Sequence, residues 1–258
     1  MKKIKLIKNN IKECYIYYIK MSILMRNHIR MIVLDMESVL FNEKRVMKNV
    51  IKETMKDLRV NTRLNYDKWP GLTKKTIIKC ELDKYGEEND INYLTTKAMI
   101  EEGMMIMEKN MEKKYLTDNK IELVDKDVLK VLDTLKALRI KICMTSEYDK
   151  RMTNNIMNKY NIFESINDYT TKENMKLSSP SPFMITKMME RLDMDDVRNL
   201  CQVSGNMEYL KIGDKLNIGM KIGVLSGTAD KRELDVKTNM RYKTLKEIND
   251  GYMGDFYL

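Results

Sequence analysis

The sequence is poor in the residues that carry several common kinds of chemistry. Its 258 residues include a single histidine, His28, and only three prolines, and no apolar run approaches the roughly 18 residues that a membrane-spanning helix requires. With one histidine, neither a Ser-His-Asp triad nor a histidine-based zinc site is expected in the body of the protein. The four cysteines form no CxxC pair, which favours reduced thiols and a cytoplasmic location; they are Cys14, Cys80, Cys143 and Cys201.

Positive charge is concentrated at the N-terminus. Residues 1–30 carry eight lysines and arginines against one acid, Glu13, so they hold most of the net charge of +9. The remainder is close to neutral, and we expect no specific nucleic-acid binding there. We interpret residues 1–30 as a basic N-terminal extension. Its role stays open between a dispensable segment, organelle targeting, weak binding to anionic membrane or nucleic acid, and a later translation start at Met21, Met25 or Met31.

Alternating helices and strands indicate an α/β fold. A buried strand is predicted at residues 31–36, and helical periodicity then dominates from about residue 42 to residue 124. From residue 125 onward, amphipathic helices alternate with apolar strands, which we place at residues 140–146, 199–205 and 220–227. Strands separated by 10 to 15 residues of helix are typical of βαβ units and a parallel sheet.

Polar side chains follow the predicted strands, and in a parallel sheet the chemistry gathers at this edge. The first strand ends at Asp35, with Glu37 two residues later; others end at Thr145-Ser146 and just before Asn206. Acids often follow strands for structural reasons alone. A pair spaced in this way also suits a carboxylate nucleophile beside an acid/base.

The order of these motifs resembles the haloacid dehalogenase superfamily. That superfamily has DxDx[T/V], then a strand-end Ser or Thr, then a basic residue near Pro-x-Pro, then GDxxxD. Here the corresponding segments are DMESV from Asp35, Thr145-Ser146, the SSPSP segment at residues 178–182, and GNMEYL from Gly205. The resemblance covers roughly residues 31–250.

Three finer features are similar to the phosphonatase-like branch of that superfamily. They are WPGLTKKTIIK at residues 69–79, MTSEYDKRM at residues 144–152, and GMKIGVLSG with KREL soon after it. The resemblance implies a Rossmann-like parallel sheet core flanked by helices, formed by residues 31–41 and 125–258. It also implies a helical cap, residues 42–124, inserted after the first strand.

The resemblance assigns roles to individual residues. Asp35 matches the nucleophile, Glu37 the acid/base, and Ser146, or Thr145 beside it, the hydroxyl that binds the phosphoryl oxygens. Magnesium is the implied cofactor, with Asp35, Glu37, Asn206 and Glu208 as its ligand positions. Lys74 matches the cap lysine that forms a Schiff base in phosphonatases, although a solvated helix face also explains a lysine there.

The sequence also departs from the superfamily pattern. Glu37 stands where the phosphatases have Asp and the phosphonatases have Ala, and its extra methylene displaces the carboxyl. Ser179 stands at the basic position before Pro-x-Pro, so Lys176 is the predicted stand-in cation. Asn206 replaces the metal-binding Asp of GDxxxD, and Leu210 stands at its second acid. The candidate substitutes are Glu208 and Asp214.

Two functions follow and stay open at this point. The first is a hydrolase that acts on a small phosphorylated or phosphonate metabolite through an aspartate nucleophile and Mg²⁺. The second is a catalytically impaired protein with the same fold, which acts as a binding or regulatory module. The expected partner is a small phosphorylated molecule; a homodimer is left open.

Overall fold

The computed structural model describes residues 28–41, 43–61, 74–117, 122–171 and 181–250. Six strands lie within them: β1 Met31–Asp35, β2 Lys141–Ser146, β3 Asp168–Thr171, β4 Leu200–Ser204, β5 Met220–Val224 and β6 Met240–Tyr242. The α-helices are α1 Met36–Leu40, α2 Glu43–Asp57, α3 Lys74–Glu88, α4 Tyr93–Glu112, α5 Val128–Ala137, α6 Lys150–Lys159, α7 Pro182–Arg191, α8 Met207–Leu216, α9 Lys231–Lys237 and α10 Lys246–Asp250. A π-helical turn, Lys113–Thr117, follows α4, and two 3-10 turns lie at Phe163–Ser165 and Val197–Asn199.

The six strands form one fully parallel sheet, as the alternation of helices and strands predicts. Their order is β3-β2-β1-β4-β5-β6, so β1 lies inside the sheet between β2 and β4. The register pairs Asp35 with Thr145 and Leu34 with Val203. The carboxyl ends of the central strands therefore meet at one edge, and most of the predicted site residues lie at this edge or just after it in the chain. This confirms the predicted α/β fold with a Rossmann-like sheet.

Side chains of β1 alternate between the two faces of the sheet. Ile32 and Leu34 pack in the larger apolar cluster, together with residues of α5 and α6, while Met31 and Val33 pack on the other face against α7 and α8. All four are at most 1% exposed. A strand covered by helices on both faces must be apolar at every position, which explains the unbroken MIVL run.

Helices α2, α3 and α4 occupy the stretch between β1 and α5. Helix α4 packs against both α2 and α3. The chain enters and leaves this stretch at one place, because Phe41 and Leu123 form an antiparallel bridge and the Val124 N–H donates to the Leu40 carbonyl at 2.7 Å. The Phe41 ring lies edge-on to Tyr115 with ring centroids 5.7 Å apart.

Strands β3 and β6 are absent from the sequence interpretation, and both lie at the margins of the sheet. Strand β3 reads Asp-Tyr-Thr-Thr and β6 reads Met-Arg-Tyr, so neither forms an apolar run. Each pairs with a neighbour on one side only. An edge strand is less buried than a central one, and the hydrophobic pattern that marks central strands is accordingly missing.

Two of the cysteines are core residues. Cys143 in β2 and Cys201 in β4 are fully buried. Burial raises the pKa of the Cys143 thiol to about 12, because the thiolate would lose its hydration. The pKa of Cys201 is raised for the same reason. Over the described residues, no helix has the length and apolar character to cross a membrane.

Candidate active site

The Asp35 carboxylate lies at the carboxyl end of β1 and is held by two hydroxyl groups. Ser38 Oγ donates to Asp35 Oδ2 at 2.6 Å, and Ser204 Oγ donates to the same oxygen at 2.7 Å. Asp35 is only 4% exposed. A buried carboxylate requires such donors, and two on one oxygen fix its rotation. Ser38 and Ser204 therefore fix the orientation of the Asp35 carboxylate.

The same serines connect three strand ends. The Gly205 N–H, just after β4, donates to Ser38 Oγ at 2.8 Å, and Ser226 Oγ, just after β5, donates to the Ser38 carbonyl at 2.6 Å. The Asn206 N–H donates to Ser204 Oγ at 2.9 Å. Asp35 thus sits in a network of hydroxyls and backbone amides that joins β1, β4 and β5.

Glu37 and Ser146 form the second contact at this edge. Ser146 Oγ donates to Glu37 Oε1 at 2.5 Å, and the Glu147 N–H donates to the same oxygen at 3.1 Å. Glu37 and Ser146 are each 1% exposed. A neighbouring hydroxyl from the adjacent strand position, Thr145 Oγ1, donates instead to the Leu34 carbonyl at 3.4 Å. Ser146, rather than Thr145, therefore presents its hydroxyl to a carboxylate.

Asn206 and Glu208 lie at the start of α8. Asn206 Oδ1 caps this helix by accepting the backbone N–H groups of Glu208 at 2.9 Å and Tyr209 at 3.4 Å. Asn is among the preferred residues at this capping position. The Glu208 carboxylate accepts a hydrogen bond from Thr76 Oγ1 of α3 at 3.3 Å. This contact joins the α2–α4 stretch to the site edge.

The donor set at this edge does not fit a magnesium ion as the residues are placed. Mg²⁺ is usually bound through one or two carboxylates in near-octahedral geometry. Asn206 brings no charge and its oxygen caps α8. Asp35 Oδ2 accepts from two serine hydroxyls, and Glu37 Oε1 and the Glu208 carboxylate also accept protein hydrogen bonds. Among the described ranges, no group of three or more His, Cys, Asp or Glu side chains is arranged to hold a metal.

The structure brings together most of the predicted site residues but not all of them. Asp35, Glu37, Thr145, Ser146 and Asn206 gather at the carboxyl edge of the sheet. Glu208 is the second residue of α8. Lys74 begins α3, and its side chain is outside the described part of the structure. Lys176 also lies outside the described residues, so its predicted role as a stand-in cation stays a prediction.

Sequence reasoning missed Ser38 and Ser204, which hold Asp35. Ser38 follows Glu37 within the first motif, and Ser204 precedes Gly205 at the end of β4. Serines at the ends of neighbouring strands are a usable signal, because parallel strands place these ends side by side. The contact of Glu37 with the Glu147 backbone was also missed, and no residue type marks a backbone donor.

Similarity to known proteins defines the class of this fold. Residues 32–201 match the family of haloacid dehalogenase-like hydrolases. No curated protein matches the chain. This chain belongs to the haloacid dehalogenase-like hydrolase family.

Solved structures share its architecture over nearly their whole length. A hydrolase from Pseudomonas syringae is 13% identical with a TM-score of 0.66, covering 84% of this chain and 95% of its own. A predicted phosphoglycolate phosphatase from Haemophilus somnus is 13% identical with a TM-score of 0.67, over 86% of this chain and 96% of its own. A haloacid dehalogenase-like family hydrolase from Streptococcus pneumoniae is 13% identical with a TM-score of 0.62, over 86% and 97%. At these identities the likeness establishes the fold.

Proposed function

We propose that this protein hydrolyses a small phosphorylated metabolite with Asp35 as the nucleophile. The observation that carries the proposal is the placement of the Asp35 carboxylate, buried at the carboxyl end of an interior strand and fixed through one oxygen by Ser38 and Ser204. Ligands of open α/β sheets bind at this edge. A carboxylate held in one orientation is suited to in-line attack on phosphorus.

The chemistry has two steps. As it leaves Ser146, the Glu37 carboxyl takes up a proton from solvent. An Asp35 carboxylate oxygen then attacks phosphorus, the ester P–O bond breaks, and the leaving alkoxide takes that proton from Glu37 as it becomes an alcohol. Water then attacks phosphorus of the aspartyl-phosphate and gives a proton to Glu37, which releases phosphate and restores the Asp35 carboxylate. In both steps the Glu37 carboxyl must leave its contact with Ser146 Oγ.

The substrate class is a small phosphomonoester, and the relative from Haemophilus somnus suggests phosphoglycolate as one to test. We expect phosphate release that is slow compared with the turnover of about 1–1000 s⁻¹ typical of enzymes, because Glu37 and Ser146 are engaged with each other. The measurement is inorganic phosphate release from a panel of small phosphomonoesters and phosphonates, with and without Mg²⁺. Failure to release phosphate from every compound above the rate in buffer would contradict the proposal.

A second candidate function is binding without turnover, as in a catalytically impaired module. Two observations favour it: Asn206 carries no negative charge where the superfamily has an acid, and the Glu37 carboxylate contacts the Ser146 hydroxyl. In that case a phosphorylated ligand would bind at the same edge and remain intact. The phosphate-release panel separates the two functions when it is paired with binding of the same compounds.

Magnesium binding is expected to be weak. We expect no saturable heat when Mg²⁺ is titrated into the wild-type protein below about 1 mM, because Asn206 carries no charge and its oxygen caps α8, while Glu37 Oε1 and the Glu208 carboxylate already accept protein hydrogen bonds. Isothermal titration calorimetry, with and without beryllofluoride, makes the measurement. The matched variant Asn206→Asp adds a carboxylate while keeping a good helix cap, and it is expected to bind Mg²⁺ more tightly. Saturable binding by the wild type that disappears in Asp35→Asn would overturn this expectation.

A further inference from the structure

The Ser146 hydroxyl is oriented as a donor by its other hydrogen bonds. A serine hydroxyl has one hydrogen to donate and two lone pairs to accept with. The Tyr148 N–H and the Thr153 hydroxyl each donate to Ser146 Oγ at 3.1 Å. Both accepting positions are filled, so the single hydrogen of Ser146 is directed to Glu37.

Two donors therefore converge on one carboxylate oxygen. Ser146 Oγ and the Glu147 N–H both donate to Glu37 Oε1, at 2.5 and 3.1 Å. A directed hydroxyl beside a backbone amide is the kind of donor set that stabilises oxyanions, and charge-assisted bonds of this type are the stronger ones. Ser146 is the last residue of β2 and Glu147 follows it, and Thr145, just before Ser146, is in register with Asp35 of the neighbouring strand.

We infer that the Glu37 carboxylate is a resident anion that occupies the oxyanion donors of this site. A tetrahedral oxyanion such as phosphate competes with Glu37 for Ser146 Oγ and the Glu147 N–H, so Glu37 decides whether these donors are open to a ligand. The identity of that ligand as a phosphoryl group rests on the proposed function, whereas the competition itself does not require turnover.

The length of the side chain matters to this arrangement. Glu37 lies in α1, directly after β1, and its carboxylate contacts Ser146, the last residue of β2, and Glu147, the residue after it. Aspartate at the same position is shorter by one carbon–carbon bond, about 1.5 Å. Since both Glu37 and Ser146 are 1% exposed, a carboxylate withdrawn by that distance leaves a buried donor pair without its anion.

The test is binding of inorganic phosphate, measured by calorimetry in magnesium-free buffer. We expect wild-type protein to bind phosphate no more tightly than about 1 mM, since the anion must displace a covalently attached carboxylate. Glu37→Ala is expected to gain at least about tenfold in affinity, because the donors open and one negative charge is removed. Glu37→Asp is expected to gain by a smaller factor.

Two further variants distinguish the effect of opening the Ser146 hydroxyl from the effect of removing a negative charge near the site. Glu147→Ala removes a neighbouring charge but leaves its backbone N–H, and its gain is expected to stay below about threefold. Adding Ser146→Ala to Glu37→Ala is expected to remove most of the gain. If Glu37→Ala loses its cooperative unfolding transition, Glu37→Asp is used in its place.

Three results would overturn the inference. These are micromolar phosphate binding by the wild type, a folded Glu37 variant with no gain, and a gain that survives Ser146→Ala. All of them are binding results, so they are independent of whether the protein releases phosphate from any substrate. Conversely, absence of turnover together with a gain in Glu37→Ala would contradict the proposed function and support the inference.

Discussion

Asp35→Asn is expected to lower the rate of phosphate release at least about a thousandfold, or about 4 kcal/mol in activation free energy. The amide has almost the same shape as the carboxylate, and its carbonyl oxygen can still accept hydrogen bonds from Ser38 and Ser204. What the variant loses is the negative charge of the proposed nucleophile, which would form the bond to phosphorus.

The measurement is inorganic phosphate release by purified wild-type and variant protein on the most active compound of the panel. Asp196→Asn is a matched control, because the same change is made at the opposite edge of the sheet, where Asp196 caps the turn before β4. Asn is an equally good capping residue, so this control should retain both stability and activity. Turnover by Asp35→Asn at more than a tenth of the wild-type rate would exclude Asp35 as nucleophile.

Gly205→Ala is expected to destabilise the protein by about 3 kcal/mol, through overpacking of backbone against backbone. A Cβ at Gly205 would lie 2.6 Å from the Gly227 backbone and from the Val224 carbonyl oxygen. Neither neighbour is a flexible side chain that can rotate away. The Gly205 carbonyl also accepts from the Ala229 N–H at 2.7 Å, which ties the two loops together.

Thermal unfolding followed by circular dichroism measures the effect, with an expected loss of about 10 °C in Tm for a chain of this size. Gly103→Ala in α4 is the matched control. Its added Cβ would meet only side-chain ends, of Leu58 at 3.1 Å and Leu82 at 3.3 Å, and alanine is the better helix former. We expect that control to stay within about 1 kcal/mol of wild type. An equal Tm for both variants would contradict the role given to the Gly205–Gly227 contact.

The central strands of the fold were predictable because each is an apolar run in the sequence. Strand β1 and the strands around Cys143 and Cys201 are apolar runs between amphipathic helices, and the structure confirms them as strands. Strands β3 and β6 were not predictable on the same basis, since hydrogen bonding to a neighbour, rather than an apolar sequence, makes these short edge segments strands.

The site was predictable in its positions and less so in its contacts. Strand ends placed Asp35, Ser146 and Asn206 at one edge, and the structure has them there. The partner of each side chain depends on distances of a few ångströms between separate loops, which residue spacing does not determine. For that reason residue spacing did not predict the hydrogen bond from Ser204 to Asp35, at 2.7 Å, or the one from Ser146 to Glu37, at 2.5 Å.

The bridge between Phe41 and Leu123 brings together the two ends of the segment that contains helices α2 to α4. Antiparallel bridge partners have Cα atoms about 5 Å apart, so the chain departs and returns through a gap that one or two residues can span. Length, sequence and even helix number between these two points can therefore change in evolution while the path of the chain through the sheet stays the same. The polar residues at the strand ends and the helices from α2 to α4 are in this sense separately exchangeable parts of one gene.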